Sequence, residues 1–224
     1  ETGALMLSDP VSRYLPVFAA MEVLTPSGEG GGTEYTLEPA RRPITIRHLL
    51  THTSGISYRF LSPPQLAPHY LEAGITDGLS QVDGTIGEMV DRLAALPLVH
   101  QPGERFTYAL GVDVLGRVIE VITGETLAEH MAAEIFEPLG MNDTRVNYSQ
   151  GEVIPGASQG YAPASGGGWR STRDQAASAG AGGIYTTFPD MTRWMANYRD
   201  GTVGGRAAID AMTTPNIPQN GDTS

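Results

Sequence analysis

Apolar positions between residues 86 and 136 recur mainly at the three-and-four spacing of helices. A capping box at Thr85-Ile86-Gly87-Glu88 opens the first of three predicted helices. A second capping box, at Thr126-Leu127-Ala128-Glu129, opens the third helix, which runs to Phe136. The middle helix ends at Gly124, where a left-handed cap is expected. Its apolar face consists of Leu110, Val114, Leu115, Val118, Ile119 and Ile122. Together the three helices predict a compact helical lobe with a common core.

Shorter elements are predicted on either side of this lobe. Strand-like runs flank a glycine-rich turn at 28–32, and Thr45 is the expected cap of a short helix. Asp9-Pro10 is interpreted as the cap and first position of another helix. The outer elements are short helices over 9–14 and 46–51, strands over 21–25 and 35–37, a strand within 180–187, and helices over 190–198 and 207–212.

The segment 57–84 has no regular period and is rich in proline and aromatic residues, among them Tyr58 and Phe60. A long loop of this kind often forms the rim of a binding site. For any single residue, packing of the loop by its own aromatic side chains is an equally good explanation.

Tyr108 is the clearest chemical candidate, because it stands just before the start of the middle helix. Unpaired N–H groups and the helix dipole favour negative charge at that end. A tyrosine ordinarily ionises near pH ~10, so it can act as a base at neutral pH only where cations or dipoles stabilise the phenolate. Taken alone, the stretch is explained more simply by a half-buried ring whose hydroxyl caps a turn.

Three motifs extend this interpretation. The sequence Pro-Gly-Glu-Arg-Phe-Thr-Tyr-Ala-Leu at 102–110 resembles the second motif of the superfamily of serine β-lactamases, penicillin-binding proteins and related esterases. The stretch 44–55, Ile-Thr-Ile-Arg-His-Leu-Leu-Thr-His-Thr-Ser-Gly, is similar to its helix-and-loop signature, and 135–141 to its helix exit. The chain most resembles the class C β-lactamase-related esterases, often called family VIII, over nearly its whole length.

The resemblance implies an α+β fold of the β-lactamase/transpeptidase type, here mainly the helical lobe and connecting loops with part of the antiparallel sheet missing. It implies one partial domain over 1–224 that lacks the N-terminal Ser-x-x-Lys segment and the C-terminal third motif. All 14 basic residues are arginines, so the lysines of those motifs are not in this sequence. We expect the central part of a longer enzyme rather than a non-catalytic relative.

By the same resemblance, the expected function is that of a serine hydrolase that cleaves carboxylic esters through an acyl-enzyme. Tyr108 matches the catalytic position as general base, and Tyr58 and Phe60 belong to the substrate-binding rim. Leu110 stands where β-lactamases usually carry asparagine, which favours an apolar acyl group and weak or no β-lactamase activity. The alternative is a non-catalytic β-lactamase-like binding or scaffold domain that keeps the helical lobe and the groove.

Charge and composition exclude several other classes. The net charge is −11, and no basic run offers a surface to nucleic acid or an anionic membrane. No apolar run approaches the roughly 20 residues of a membrane span, and the absence of cysteine excludes disulfides and zinc-thiolate sites. A small-molecule ester is the expected partner, no cofactor is expected, and the oligomeric state stays open. The compartment is undetermined, with the cytoplasm slightly favoured over secretion or the periplasm.

The remaining motifs are weak. His48 and His52 have the i, i+4 spacing of metal-binding pairs, but no glutamate or third ligand accompanies them, so no metal is expected. Gly156-Ala157-Ser158-Gln159-Gly160 fits the nucleophile-elbow pattern G-x-S-x-G without the preceding strand and following helix that such an elbow needs. We interpret it as a chance match, and Ser54 as a structural loop residue.

Overall fold

The computed structural model describes residues 3–27, 35–75, 85–146, 158, 161–171 and 184–216. The predicted glycine turn at 28–32 lies outside the described residues, as do residues 76–84 of the long loop and 180–183 of the predicted strand. Of the G-x-S-x-G stretch only Ser158 is described, and it is exposed. Within these ranges the chain is mainly helical, with short antiparallel strand pairs, which agrees with the α+β prediction.

The three predicted helices form the lobe, with α4 at its centre, and two further helices, α1 and α2, add to the same core. Helix α4 packs against α1, α3 and α5, and α5 continues into a single π-helical segment, Ala132–Phe136. The sequence predicted one regular helix up to Phe136, and the π-helical segment departs from that prediction. The five helices are α1 (Ile46–Leu50), α2 (Ala67–Glu72), α3 (Ile86–Ala94), α4 (Gly111–Thr123) and α5 (Leu127–Met131).

The helix ends follow the capping signals in the sequence. The hydroxyls of Thr85 and Thr126 each accept a hydrogen bond from the third backbone N–H of their helix, and the carboxylates of Glu88 and Glu129 accept one from the backbone N–H of the cap residue. Gly124 closes α4 with φ 75°, the left-handed conformation predicted for it. Local sequence therefore determines where these helices start and stop.

Small residues on α4 let its neighbours approach closely. A Cβ on Gly111 would lie 3.0 Å from the backbone oxygen of Leu49, at the end of α1. A Cβ on Gly116 would lie 2.7 Å from a methyl group of Leu127 on α5. The start of α4 is thereby held directly against the end of α1, which places Tyr108 beside the loop that follows α1.

Outside the lobe, the described strands pair two by two, antiparallel in each case. Strand β1 also exchanges hydrogen bonds with Leu98, which attaches the first pair to the segment that leads towards Tyr108. The pairs are β1 (Glu22–Pro26) with β2 (Tyr35–Pro39), β3 (Arg145–Val146) with β6 (Ile184–Tyr185), and β4 (Tyr161–Pro163) with β5 (Trp169–Ser171). Two further helices are α6 (Phe188–Asp200) and α7 (Gly205–Thr213).

Two local predictions were wrong. Asp9 does not cap a helix, because its carboxylate accepts hydrogen bonds from Tyr14 and Arg13, and only the single 3₁₀ turn Val11–Arg13 follows. The segment 57–75 is not irregular, since it contains the 3₁₀ turn Arg59–Leu61 and helix α2. Among the described residues, no helix combines the length and apolar character needed to cross a bilayer.

Tyr70 shows how this loop is held. Its ring is almost completely buried, and its hydroxyl accepts a hydrogen bond from the backbone N–H of Ser57. Burial raises the pKa of Tyr70 to about 12, so the phenol stays neutral. The segment that carries Tyr58 is therefore attached to the core through Tyr70 of α2.

Candidate active site

Tyr108 lies at the surface of the lobe, three residues before the first residue of α4. The residue is 49% exposed, while its neighbours Ala109 and Leu110 are buried. The backbone on either side of it is fixed by hydrogen bonds to one residue of the loop after α1. The N–H of Thr107 donates to the carbonyl oxygen of His52 at 2.7 Å, and the N–H of Ala109 donates to the His52 ring nitrogen Nδ1 at 3.3 Å. Tyr108 is thus an accessible phenol on a restrained backbone.

His52 has an unusual backbone conformation. Its φ is +54°, and it is the one described residue other than glycine with a positive φ. Burial lowers the pKa of its imidazole, which favours the neutral ring. Because Nδ1 accepts from Ala109, the hydrogen-bond network assigns the ring proton to Nε2.

A row of aromatic rings surrounds Tyr108; we call Phe60, Tyr58, Tyr108 and His52 the aromatic row. Tyr58 stacks on Phe60 with ring centroids 5.1 Å apart and on Tyr108 with centroids 5.6 Å apart. The ring of His52 lies 4.8 Å from that of Tyr108 on a tilted plane. Such offset stacking is favourable between aromatic rings, and it gives the site one apolar wall.

The structure brings the predicted rim residues to Tyr108 but exposes them differently. Phe60 is 59% exposed at the end of the row, whereas Tyr58 is 3% exposed and lies between its two neighbours. Leu110 is fully buried in the core beneath the start of α4. Its side chain faces the interior of the lobe, so contact of Leu110 with a substrate stays a prediction from the sequence.

His100 also holds Thr107, the residue directly before Tyr108. Its ring is buried, which lowers its pKa and favours the neutral form. The backbone oxygen of Gln101 lies 2.9 Å from Nδ1, so that nitrogen carries the proton, and Nε2 accepts from the hydroxyl of Thr107 at 3.0 Å. Two neutral histidines therefore contact the backbone or side chain of Thr107, directly before Tyr108.

Neither of the two histidines with metal-pair spacing is placed as a ligand. Nδ1 of His48 accepts from the backbone N–H of Thr45 at the start of α1, while Nδ1 of His52 accepts from Ala109. In the part of the chain that the structure describes, His, Asp and Glu form no group of three that could hold a metal ion. Both rings are used to hold the backbone.

A cleft of about 850 Å³ opens beside the aromatic row. On one side it is lined by Leu50, His52 and Phe106, and on the other by Ala208 and Met212 of α7. The ring of Phe106 lies edge-on to that of His52, with centroids 5.7 Å apart. The cleft therefore adjoins the aromatic row at His52, whose ring also contacts that of Tyr108.

Comparison with known proteins defines the family. The model of the Beta-lactamase family matches residues 1–223. The chain belongs to the Beta-lactamase family. Its fold is the β-lactamase/transpeptidase-like fold, and the resemblance predicted from the motifs at 44–55, 102–110 and 135–141 is confirmed.

Three relatives illustrate the match. Lovastatin esterase from Penicillium rubens is 34% identical over 228 residues, which cover 95% of this chain and 54% of the esterase. Esterase EstB from Burkholderia gladioli is 40% identical over 141 residues, 63% of this chain and 32% of EstB. The structure of EstCE1, a hydrolase with promiscuous acyltransferase activity, superposes with a TM-score of 0.68 at 29% identity, covering 97% of this chain and 59% of EstCE1. The chain thus spans between a third and somewhat over half of these relatives.

Sequence reasoning selected Tyr108 and the aromatic rim but missed the residues that hold them. For His52 the sequence favours packing and hydrogen bonding over a metal site but names no partner, and His100 is not singled out. The available signal was the position of His52 between Thr51 and Thr53-Ser54-Gly55, at the end of a predicted helix, where left-handed backbone is common.

Proposed function

We propose that this chain contributes the general base and the apolar wall of a serine hydrolase site that cleaves carboxylic esters of small molecules. The observation that carries the proposal is the half-exposed Tyr108, restrained on both sides by His52, in a chain of the Beta-lactamase family. A base must have an accessible hydroxyl and a defined direction. The position of Tyr108 supports both requirements.

In the proposed reaction, a serine hydroxyl attacks the ester carbonyl while Tyr108 takes the serine proton. The same proton then passes to the departing alkoxide, which leaves as the alcohol, and an acyl-serine remains. Water next attacks the acyl group, gives its proton to Tyr108, and the acid is released as the serine regains a proton. A general base of this kind contributes about 10²–10⁴-fold to the rate.

The nucleophile is proposed to come from a Ser-x-x-Lys segment of the whole protein. That segment is not in these 224 residues, which contain no lysine. The lysine would supply the positive charge that a tyrosine base requires. Activity, substrate and nucleophile of the whole protein are therefore parts of the proposal.

The expected substrates are esters with an apolar acyl group rather than β-lactams. The aromatic row and the neighbouring cleft present apolar side chains, and Leu110 offers no amide to a polar substrate group. The relatives named as esterases support this choice.

Acyl transfer is a second candidate function, because EstCE1 is described as a hydrolase with promiscuous acyltransferase activity. In that case an alcohol replaces water in the second step, and the atoms balance in the same way. Product analysis with an added alcohol, by mass spectrometry, distinguishes the transferred ester from the free acid.

The test is hydrolysis of p-nitrophenyl butyrate by the natural full-length protein and its Tyr108→Phe variant. We expect kcat to fall by about 10²–10⁴-fold. Tyr198→Phe on α6, where the ring contacts Trp194, serves as the matched control and is expected to keep full activity. Full activity of Tyr108→Phe would contradict the proposal, and an inactive natural protein would favour the non-catalytic binding domain.

A further inference from the structure

We propose that His52 is a positioning residue, which holds the backbone of Tyr108 in the direction that proton transfer requires. This inference deepens the proposed function and rests on it. In this role His52 acts on the reaction only through Tyr108 and needs no contact with the substrate.

The first observation is that a single residue accepts hydrogen bonds from both peptide units that flank Tyr108. The His52 carbonyl accepts from Thr107 N–H at 2.7 Å, and its ring nitrogen Nδ1 accepts from Ala109 N–H at 3.3 Å. These two N–H groups lie one residue before and one residue after Tyr108. Rotation of the Tyr108 backbone therefore requires breaking at least one of these bonds.

The second observation is the contact between the two rings. The imidazole lies 4.8 Å from the Tyr108 ring at an angle of 45°, and Tyr58 lies on Tyr108 as well, with a centroid distance of 5.6 Å. The ring is thus restrained by neighbours on its sides while about half of the residue stays exposed. The restraint applies to the direction of the phenol as well as to the backbone.

The third observation is the backbone conformation of His52. A positive φ is uncommon for a residue with a Cβ, and such strain persists where surrounding contacts require it. In this conformation the carbonyl and the ring of His52 both face the segment 107–109. Restraint of Tyr108 explains why this position carries a side chain rather than glycine, which would adopt the same φ without strain.

Two variants separate the ring from the backbone conformation. His52→Gly keeps the positive φ but removes the ring and the Nδ1 acceptor, whereas His52→Asn tolerates the positive φ and offers an amide oxygen as acceptor. In the natural full-length protein we expect His52→Gly to lower kcat for p-nitrophenyl butyrate by about 10–100-fold with little change in KM, since misplacing a catalytic group costs rate. His52→Asn is expected to recover most of the loss.

His48→Gln is the matched control, because His48 lies on α1, four residues before His52, and its ring also accepts from a backbone N–H, but at the start of α1. It is expected to lower the melting temperature and leave kcat unchanged. A general loss of stability would affect the His48 and His52 variants alike, without recovery in His52→Asn. That pattern, or a change in KM alone, would overturn the inference.

The inference and the proposed function fail in different ways. If Tyr108→Phe is inactive while His52→Gly keeps the wild-type kcat, only the role of His52 is wrong. If Tyr108→Phe is fully active, the base itself is wrong. Should His52→Gly not fold, nitrogen NMR of the wild-type imidazole decides, because a proton on Nδ1 at neutral pH would be incompatible with the bond from Ala109.

Discussion

The ring of Tyr58 stacks on that of Tyr108, with centroids 5.6 Å apart and planes inclined by 29°. Tyr58 is almost completely buried. Its ring also stacks on that of Phe60, which is itself exposed. The buried ring of Tyr58 therefore lies between the two exposed rings of this stack, Tyr108 and Phe60, and contacts both.

Phe60→Ala is expected to change acyl-chain preference. Removal of the exposed ring should lower kcat/KM for p-nitrophenyl octanoate by roughly 2–12-fold, the range that corresponds to one aromatic contact of about 0.5–1.5 kcal/mol. The acetate ester, which is too short to use that contact, should be affected less. Phe188→Ala, which removes a more exposed ring at the start of α6, serves as the control. An equal loss for both esters would contradict a role of Phe60 in the acyl site.

Leu110→Asn is expected to destabilise the protein, because Leu110 is fully buried at the start of α4. The change removes apolar volume and buries an amide, at an expected cost of about 3 kcal/mol in the free energy of unfolding. Leu110→Met conserves volume and should cost less than about 1.5 kcal/mol. Urea unfolding measures both values. Asparagine tolerated without loss would mean that this side chain can turn out of the core towards the site.

Gly55→Ala tests the close approach between the loop after α1 and the segment before Tyr108. Gly55 has φ +85°, and a Cβ there would lie 2.3 Å from the backbone oxygen of His100. Gly74 has a similar φ of +61° but open space around it. We expect Gly74→Ala to cost about 1 kcal/mol from the backbone alone, and Gly55→Ala to cost about 3–4 kcal/mol, the range of severe core defects. Equal losses in thermal unfolding would show that the two segments can separate freely.

Stability is expected to fall as the pH is lowered below about 6.5, the ordinary pKa of histidine. Burial lowers the pKa of His48, His52 and His100 in the folded protein. Below pH 6.5 the unfolded chain therefore binds more protons than the folded chain, and stability decreases as the pH falls towards the folded pKa values. Above that pH all three rings are neutral in both states, and this contribution stays constant.

The melting temperature as a function of pH measures this effect. His100→Asn, which removes the most buried of the three rings, should reduce the slope between pH 6.5 and pH 5. His69→Asn on α2, where the side chain is 59% exposed, is the control and should leave the slope close to that of the wild type. A slope that His100→Asn does not change would mean that His100 already carries a proton in the folded state.

Several elements were predictable because their signals are local. The capping boxes at Thr85 and Thr126 and the glycine at 124 each act within one turn of the helix they define, so sequence order alone locates them. The prediction for α2 failed for the opposite reason. Burial of Tyr70 and Leu66 in the core stabilises that helix. Prolines interrupt the apolar spacing in this segment, so the helix is not visible in the sequence pattern.

The candidate base could be named from the sequence, but the contacts that support it could not. Tyr108 followed from its position before a helix and from the resemblance of 102–110 to a known motif. The roles of His52 and His100 depend on contacts between distant segments, since His52 lies 57 positions before Ala109. The i, i+4 spacing that first drew attention to His52 is a property of α1, whereas its function depends on the backbone turning away from α1 at a positive φ.

The sequence by itself determined where the helices with clear capping signals begin and end, which family the motifs resemble and which phenol is the candidate base. These properties depend on side chains that are close in sequence, whose hydrogen bonds and apolar spacing act over a few residues. The tertiary structure alone decided that Tyr108 is half exposed, that Leu110 is buried in the core and that one histidine restrains both neighbours of the tyrosine. Packing of α1 against α4 brings those groups together, and the free energy of that packing comes from core residues far apart in the chain.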